Sequence, residues 1–288
     1  MRVLVTGATG YLGWRTASLL AARGHEVTGL TRPGAVARAA SRDLPVVECD
    51  AADPAARELV AGHDAVLHFA GMPDPARSRA DPAHAVLLNA GTTANLLDGC
   101  AEHGARLIYP SSLRAGVEPA PDAYALSKRL GEEACRLHRA PSAIVRLTSI
   151  FGPGQVRAEG ATGAIAAFAA RALAGEPIVI PGNPRRTRDF VYVDDFVAGL
   201  EGLLDGELPD GPVLAASGAA TPLLEAAELV REAAGTAVEI ELPGGELPAG
   251  EDASYAVEPQ ARRLPLRARP LAAGIAEYVE WLRDHPAT

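Results

Sequence analysis

Four polar side chains in the middle of the chain have the types and spacing for proton transfer. Tyr124 and Lys128 are four residues apart in a predicted helix, so their side chains share one face. A phenol has an unperturbed pKa of about 10, and a neighbouring ammonium group is expected to lower it. Ser111 and Ser112 end a predicted strand, where a hydroxyl can polarise a carbonyl. This set suits hydride transfer at a C–OH or C=O centre.

A glycine-rich turn near the N-terminus has the pattern of a dinucleotide site. Gly7, Gly10 and Gly13 follow a predicted strand and open a predicted helix. The first permits a tight turn, the second lets a pyrophosphate approach the backbone, and the third lets the helix pack on the strand. No P-loop lysine follows, which disfavours nucleoside triphosphate hydrolysis. The predicted cofactor contacts of this turn are Gly7, Thr9, Gly10, Tyr11, Leu12 and Gly13.

The residues at the ends of the next strands indicate which dinucleotide binds. A carboxylate after the second strand would accept from the ribose 2′-hydroxyl of NAD, but Thr31 and Arg32 stand there. Because an arginine can pair with a 2′-phosphate, NADP is the preferred prediction and NAD the alternative. A solvated surface arginine is the competing interpretation. Further predicted cofactor contacts follow the third and fourth strands and are Asp50, Ala51, Phe69, Ala70 and Gly71. Asn89 and Lys128 complete the predicted cofactor set.

Short apolar runs alternate with helical patterns through the first half of the chain. The predicted strands cover residues 2–6, 26–30, 46–49, 65–69, 106–109 and 143–147, and the predicted helices cover 14–23, 55–61, 83–103 and 124–138. This alternation predicts an α/β fold, a doubly wound parallel sheet of the Rossmann type, with residues 1–150 as a dinucleotide-binding domain.

The second half predicts a small C-terminal substrate-binding lobe over residues 151–288. Its predicted helices cover residues 161–174, 226–234 and 275–283, and its predicted strands cover 178–180 and 190–193. A further apolar run at 213–216 is expected to return to the main sheet. Such a lobe would cover the carboxyl ends of the parallel strands, where doubly wound folds bind ligands.

The composition of the chain argues against several kinds of binding partner. A formal net charge of −9 argues against a nucleic-acid surface. No run approaches the roughly 18 apolar residues of a membrane helix, and the chain opens directly as a strand, so we expect a cytoplasmic protein without a membrane partner. Three separated cysteines predict free thiols, and the scattered Asp and His residues predict no metal site. His68 ends an apolar strand and is expected to be structural.

Five motifs together resemble the extended branch of the short-chain dehydrogenase/reductase superfamily, the NAD-dependent epimerase/dehydratases. They are the GxxGxxG spacing of the glycine turn, YALSK at 124–128, NAGT at 89–92, Arg146-Leu147 followed by FGPG at 151–154, and RDFVYVDD at 188–195. The resemblance implies that Asn89 supports the active site on the cofactor side. It also implies that Arg188 contacts a substrate diphosphate, and that helices 83–103 and 124–138 pair in a homodimer.

Four departures from that pattern limit what the resemblance implies. Thr31 and Arg32 replace the usual ribose-binding acid, and Ala115-Gly116 lacks the aromatic residue of the family's VYG. Leu113 and Arg114 stand where 4,6-dehydratases carry their elimination acid and base, which argues against dehydration. The segment Leu242-Pro243-Gly244-Gly245-Glu246 has no arginine where sugar-nucleotide enzymes often place a second diphosphate ligand. Either Arg262 or Arg263 substitutes for it, or the substrate lacks a diphosphate.

Three functions remain open from the sequence. The preferred one is a ketoreductase that uses NADP or NAD on a keto-sugar nucleotide or a similar polar small molecule. The alternative is an NAD-dependent sugar-nucleotide epimerase that oxidises a hydroxyl, lets the ketone rotate and reduces it from the other face. The third is a dinucleotide sensor without catalysis, which the presence of both Tyr124 and Lys128 disfavours.

Overall fold

The chain divides into two compact units. The computed structural model describes residues 1–35, 44–155, 163–247, 254–255, 257 and 260–285. One unit consists of Met1–Leu147 with Val197–Leu214, and the other of Thr148–Phe196 with Ala215–Thr288.

The elements up to Leu147 alternate between strand and helix. In chain order they are β1 (Arg2–Thr6), α1 (Tyr11–Ala22), β2 (Glu26–Thr31), β3 (Val46–Glu48), α2 (Ala55–Glu58), β4 (Ala65–His68), α3 (Pro75–Ala80), α4 (Pro82–Val86), a π-helical turn (Leu87–Gly91), α5 (Thr92–His103), β5 (Arg106–Ser112), a 3₁₀ turn (Leu113–Gly116), α6 (Ala123–Leu137) and β6 (Ser142–Leu147).

The remaining elements are shorter and less regular in their order. They are β7 (Ser149–Phe151), α7 (Ala164–Leu173), β8 (Ile178–Pro181), β9 (Thr187–Arg188), β10 (Phe190–Tyr192), α8 (Val193–Asp205), β11 (Val213–Ala215), β12 (Thr221–Pro222), α9 (Leu223–Ala233), β13 (Ile240–Gly244) and α10 (Leu271–Asp284).

One seven-stranded sheet organises the first unit. Its strand order is β11, β6, β5, β4, β1, β2 and β3, and the five ladders that join β6 through β3 are parallel. The order reverses between β1 and β4, which is the switch point where doubly wound sheets bind ligands. The predicted doubly wound α/β fold is therefore confirmed. β11 lies beside β6, at the position of the strand expected near 213–216.

The central strands are buried because helices cover both faces of the sheet. Val3, Leu4 and Val5 of β1 are at most 1% exposed, and the apolar residues of β4 are fully buried. Leu96 and Leu97 of α5 are among the residues of this core. Continuous apolar runs, without polar alternation, are the sequence signature of such strands.

The prediction of one helix over residues 83–103 is wrong in its middle. The chain forms α4, then a π-helical turn, then α5. The turn contains Asn89, whose side chain is hydrogen-bonded to the backbone of Met72 and to Ser127. Apolar periodicity at 3.6 residues does not reveal this local widening, which is typical of functional sites. β5 also extends further than predicted and includes both serines, Ser111 and Ser112.

A separate apolar core organises the second unit. Phe151 makes edge-to-face contacts with Phe190, Tyr192 and Tyr278, and the buried faces of α7, α9 and α10 pack in the same cluster. α7 accounts for most of the helix predicted over 161–174, of which residues 161–162 lie outside the described part of the chain. β9 and β12 pair antiparallel, and β10 pairs parallel with β7.

Candidate active site

The glycine turn is shaped by contacts that leave no room for side chains. Gly7 has φ +66°, and a Cβ there would lie 2.8 Å from the backbone nitrogen of Ala70. A Cβ at Gly13 would lie 2.7 Å from the carbonyl carbon of Gly7 and closer still to its oxygen. The amide of Gly10 donates to the carbonyl of Gly7 at 2.9 Å, which closes the turn. These contacts bring α1 against the end of β1.

The N-terminus of α1 fits the pyrophosphate of a dinucleotide. α1 begins at Tyr11, and Gly10 at its N-cap provides no side chain to occupy the first amides. Those amides and the helix dipole favour an anion there. The predicted contacts Tyr11 and Leu12 lie in this first turn, and the Thr9 hydroxyl is 3.1 Å from the Thr31 hydroxyl at the end of β2.

The ribose end of the predicted cofactor site holds both a cation and an anion. Thr31 is buried and Arg32 is exposed on the turn that follows. Thr31 pairs with Glu48 in the β2–β3 ladder, and the carboxylate of Glu48 accepts a hydrogen bond of 2.9 Å from the amide of Gly34. Glu48 is not apparent from the sequence, because the residues that end β2 do not show which side chain of β3 lies beside them. A parallel neighbour strand brings a second side chain to the same place.

The other predicted cofactor contacts lie at the carboxyl ends of neighbouring strands. Asp50 follows β3 and accepts from the amide of Ala52, while Ala51 is buried and its carbonyl accepts from Asn95. Phe69, Ala70 and Gly71 follow β4. The amide of Ala70 donates to the Thr6 hydroxyl at 3.0 Å.

Asn89 connects the loop after β4 to the helix that carries Tyr124. Its Oδ1 accepts from the amide of Met72 at 2.7 Å, and its Nδ2 donates to the Ser127 hydroxyl at 2.8 Å. Ser127 in turn donates to the carbonyl of Tyr124 at 2.8 Å. Gly71 lies against this amide, because a Cβ there would be 2.5 Å from Asn89 Oδ1. The buried amide therefore fixes the first turn of α6 relative to β4.

Ser112 and Tyr124 are brought together as the sequence predicted. The Ser112 hydroxyl lies close enough to the Tyr124 phenol to lower its pKa, and it accepts a hydrogen bond of 3.2 Å from the amide of Arg114. Burial raises the pKa of Tyr124 above its ordinary value, while Ser112 and the charge of Arg114 lower it and Asp122 raises it. The expected lowering of the Tyr124 pKa below its ordinary value is therefore not found, because desolvation exceeds the charge effects.

Lys128 lies one turn further along the same helix, at the end of β5. Its Nζ donates to the carbonyl of Pro110 at 2.9 Å and lies 5.0 Å from the centre of the Tyr109 ring. Burial lowers the pKa of Lys128 to about 8, against an opposing effect of Glu132. The cation that lowers the pKa of Tyr124 in this structure is Arg114. The sequence had assigned that role to Lys128.

Ser111 points away from the other candidate catalytic groups. Its hydroxyl donates to the buried carboxylate of Glu132 at 2.6 Å. Glu132 also accepts two hydrogen bonds from Arg146, of 2.9 and 2.7 Å. Glu132 lies about two turns along α6 from Tyr124, so Ser111 and Ser112 meet different parts of the same helix. Ser111 is a member of a buried polar cluster that ties β5 and β6 to α6.

His68 has the structural role that was expected. Its ring nitrogens lie 2.8 Å from the Thr6 hydroxyl and 3.2 Å from the Thr92 hydroxyl. The side chain is 1% exposed, and burial lowers its pKa to about 3. The neutral ring therefore links β1, β4 and α5.

Arg188 lies on β9 in the second unit. Its guanidinium donates to the carbonyl of Thr187 and lies 4.9 Å from the centre of the Tyr255 ring. The neighbouring Asp189 is buried and accepts from the amides of Ser217 and Gly218. A Cβ at Gly218 would collide with the guanidinium of Arg263.

Two observations concern metal ions and membranes. Among the described residues, Glu58, Glu102 and His103 bring potential ligand atoms within 4.8 Å of one another, on an exposed surface where carboxylates commonly gather without a metal. The helices of the described part of the chain are all too short or too polar to span a bilayer.

Comparison with known proteins identifies the family to which the chain belongs. The profile of the NAD dependent epimerase/dehydratase family matches residues 3–207. The chain belongs to this family, and the resemblance inferred from the motifs is confirmed.

Individual relatives differ in reaction. The chain is 28% identical to dTDP-4-dehydro-6-deoxy-D-allose reductase from Streptomyces bikiniensis, over 98% of this chain and 96% of that protein. UDP-glucose 4-epimerase from Thermotoga maritima, solved with UDP-glucose, superimposes with a TM-score of 0.85 at 23% identity, covering 99% of both chains. UDP-glucuronic acid 4-epimerase from Bacillus cereus, solved with UDP-glucuronic acid and NAD, gives a TM-score of 0.83 at 20% identity and 99% coverage of both.

Proposed function

We propose that the protein is a ketoreductase that uses NADP or NAD to reduce a keto-sugar nucleotide to the alcohol. The observation that carries the proposal is the placement of the Ser112 hydroxyl beside the Tyr124 phenol at the end of β5, one helical turn from Lys128. The similarity to dTDP-4-dehydro-6-deoxy-D-allose reductase extends over nearly the full length of both chains and supports this reaction.

The proposed mechanism uses each of these groups at a stated atom. When bound, the reduced nicotinamide supplies a hydride to the carbonyl carbon. Ser112 donates a hydrogen bond to the carbonyl oxygen, and the phenol of Tyr124 transfers its proton to that oxygen as charge develops. Two cations favour the resulting phenolate in this proposal: Arg114, whose charge lowers the pKa of Tyr124, and Lys128, which is held by the carbonyl of Pro110 one turn along the helix. The first unit holds the dinucleotide in this proposal, and the second unit contributes the substrate-binding lobe.

The second candidate is an epimerase, favoured by the RDFVYVDD segment at 188–195. We infer for either reaction that Arg188 and Arg263 take part in binding the diphosphate of a sugar nucleotide. Arg188 is on β9, whose partner strand β12 begins three residues after Gly218, the residue packed against Arg263. Arg188→Gln should therefore raise KM for a sugar nucleotide much more than for the same ketone without its diphosphate. An equal effect on both substrates would contradict this assignment.

Two parallel incubations distinguish the two reactions. Purified protein is mixed with a keto-sugar nucleotide and NADPH or NADH, and in parallel with sugar nucleotides and NAD. Stoichiometric consumption of the reduced cofactor with the keto-sugar supports the ketoreductase. Exchange between stereoisomers without net cofactor change would replace it with the epimerase. Tyr124→Phe is the site control, because it removes the acidic proton and should abolish most turnover with little change in cofactor affinity.

We further propose NADP as the preferred cofactor, supported by the exposed Arg32 next to β2. The carboxylate of Glu48 at the same turn is the opposing influence, since it would repel a 2′-phosphate. Arg32→Ala should raise the Kd of NADPH much more than that of NADH, and Glu48→Gln should shift the preference further toward NADPH. Equal changes for both cofactors in both variants would refute the preference.

We propose a cytoplasmic homodimer. Support comes from four exposed leucines on the π-helical turn and α6, which are Leu87 at 71%, Leu126 at 41%, Leu130 at 39% and Leu137 at 74% exposed. A second copy of the chain would cover these side chains through the same surface. Sedimentation equilibrium should give twice the chain mass, and Leu126→Glu combined with Leu130→Glu should halve it. A monomeric wild type would rule the homodimer out.

A further inference from the structure

A buried ion pair lies at the start of the helix that carries Tyr124. The guanidinium of Arg114, on the 3₁₀ turn after β5, is paired with the carboxylate of Asp122, whose side chain is only 3% exposed. Asp122 is also the N-cap of α6, because its other oxygen accepts from the amide of Ala125 at 2.8 Å. The amide of Arg114 donates to the Ser112 hydroxyl. Arg114 thus contacts both Ser112, the neighbour of Tyr124, and Asp122, the N-cap of the helix that carries Tyr124.

We propose that Arg114 is a positioning residue that, together with Asp122, holds Ser112 against Tyr124 and sets the electrostatic potential at the phenol. The proposal rests on the function proposed above, in which Tyr124 is the acid. It assigns a role to the position where dehydratases carry an elimination group, and to two residues that the sequence reasoning had not placed in the site.

A second guanidinium group lies at the carboxylate of this ion pair. The carboxylate of Asp122 faces two guanidinium groups, because Arg79 of α3 lies 3.9 Å from the same oxygen that Arg114 contacts. The first turn of α6 adds the positive end of its helix dipole. Among the described residues, the charged and titratable groups that act on Tyr124 are Arg114 of the 3₁₀ turn, Asp122 at the N-cap and Tyr109 of β5, while Arg79 of α3 contacts Asp122 and Lys128 lies one turn along α6.

The two members of the pair act on the phenol in opposite directions. Arg114 lowers the pKa of Tyr124 and Asp122 raises it. Removing the positive charge must therefore raise the Tyr124 pKa, and removing the negative charge must lower it. A purely mechanical clamp behaves differently, since losing either partner breaks the same ion pair and would change the site in the same direction. Opposite signs of the two pKa shifts indicate an electrostatic role, and shifts of the same sign indicate a mechanical clamp.

The test measures the phenol itself, without turnover. 3-Fluorotyrosine is incorporated at position 124 of the full chain, and its fluorine NMR signal is followed against pH. Arg114→Met keeps the aliphatic stem and removes the charge, while Asp122→Asn keeps a good N-cap and removes the charge. Arg114→Lys retains the charge. Arg129→Met is the matched control, because Arg129 binds the carbonyls of Ala115 and Val117 in the same loop.

The expected shifts are about one pH unit, the lower end of what a charge at contact distance produces. The midpoint should move up in Arg114→Met, move down in Asp122→Asn, and stay at the wild-type position in Arg114→Lys and Arg129→Met. Shifts of the same sign in the first two variants, or a shift in Arg129→Met as large as in Arg114→Met, would overturn the proposal. If Arg114→Met does not fold, the downward shift in Asp122→Asn still decides it.

Activity separates this inference from the proposed function. If both hold, the alkaline limb of the pH profile of kcat/KM for ketone reduction moves with the fluorine midpoint in each variant. If the midpoints move in opposite directions and the pH profiles do not follow, Tyr124 is not the acid and the proposed function fails. If Tyr124→Phe is inactive and the midpoints do not move in opposite directions, the role of Arg114 fails and the function stands.

Discussion

Substitution of His68 should change how the stability of the protein depends on pH. Nε2 lies near the Thr92 hydroxyl, which donates to the carbonyl of Leu88, so Nε2 is assigned as the donor to Thr92. Nδ1 is then left as the acceptor of the Thr6 hydroxyl, whose oxygen already accepts from the amide of Ala70. A second proton on the ring would remove the acceptor that Thr6 uses. The folded protein therefore excludes this proton.

The size of the effect follows from the two pKa values of His68. Burial lowers the folded-state pKa to about 3, whereas an unfolded chain has the ordinary value of 6.5. Above pH 6.5 neither state binds the proton. As the pH falls below 6.5 the unfolded state gains a proton that the folded state does not, so stability is lost until the pH reaches about 3. At about 1.4 kcal/mol per unit, the loss from this group between pH 7 and pH 5 is about 2 kcal/mol.

Urea unfolding followed by circular dichroism at pH 7, 6 and 5 measures this loss. His68→Asn retains a planar donor and acceptor but cannot titrate in this range. The free energy of unfolding of the wild type should fall by about 2 kcal/mol more than that of His68→Asn between pH 7 and pH 5. His84→Asn, which alters an exposed histidine, is the matched control and should behave like the wild type. If wild type and His68→Asn lose the same free energy, the excluded proton is not on His68.

Five further variants test the turn and the catalytic groups. Gly13→Ala should abolish dinucleotide binding and lower Tm, because its Cβ collides with the turn, whereas Gly91→Ala, where no heavy atom lies within 4 Å, should bind normally in a fluorescence titration. Lys128→Met should lower kcat by about 10²-fold or more without lowering the free energy of unfolding, since burial of the ammonium is unfavourable; a destabilised variant would contradict this. Ser112→Ala should lower kcat, and Ser111→Ala should instead lower Tm with kcat retained; reversed effects would exchange their roles.

Most of the parallel sheet could be predicted because its strands are buried on both faces. Runs such as Val3-Leu4-Val5 are apolar at every position, and only strands covered by helices on both sides tolerate that. The helix over 83–103 was the exception. Its regular apolar pattern continues through Asn89, but the amide of that residue is satisfied by Met72 and Ser127, and the helix widens to reach them. Contacts across 17 and 38 residues are invisible to a local pattern.

The site was predicted to the level of strand ends, and less well to the level of single groups. Ser111 and Ser112 were indistinguishable in the sequence, because the direction of each side chain depends on the register of β5 with its neighbours. The partners that decide the chemistry, Arg114 for the phenol and Glu132 for Ser111, come from other elements. Glu48 was missed for the same reason, since its place beside Thr31 is set by the β2–β3 ladder.

Burial favours the neutral form of both members of the predicted proton-transfer pair. It raises the pKa of Tyr124 and lowers the pKa of Lys128 to about 8, so in each case the neutral form is favoured. A neutral phenol at physiological pH is the state that ketone reduction requires at its start, because the phenol must give its proton to the new alcohol. An epimerase begins by removing a proton from a hydroxyl, for which the phenolate is needed first. Both reactions therefore depend on the protonation state of Tyr124, and Arg114 with Asp122 is the place where that state can be altered.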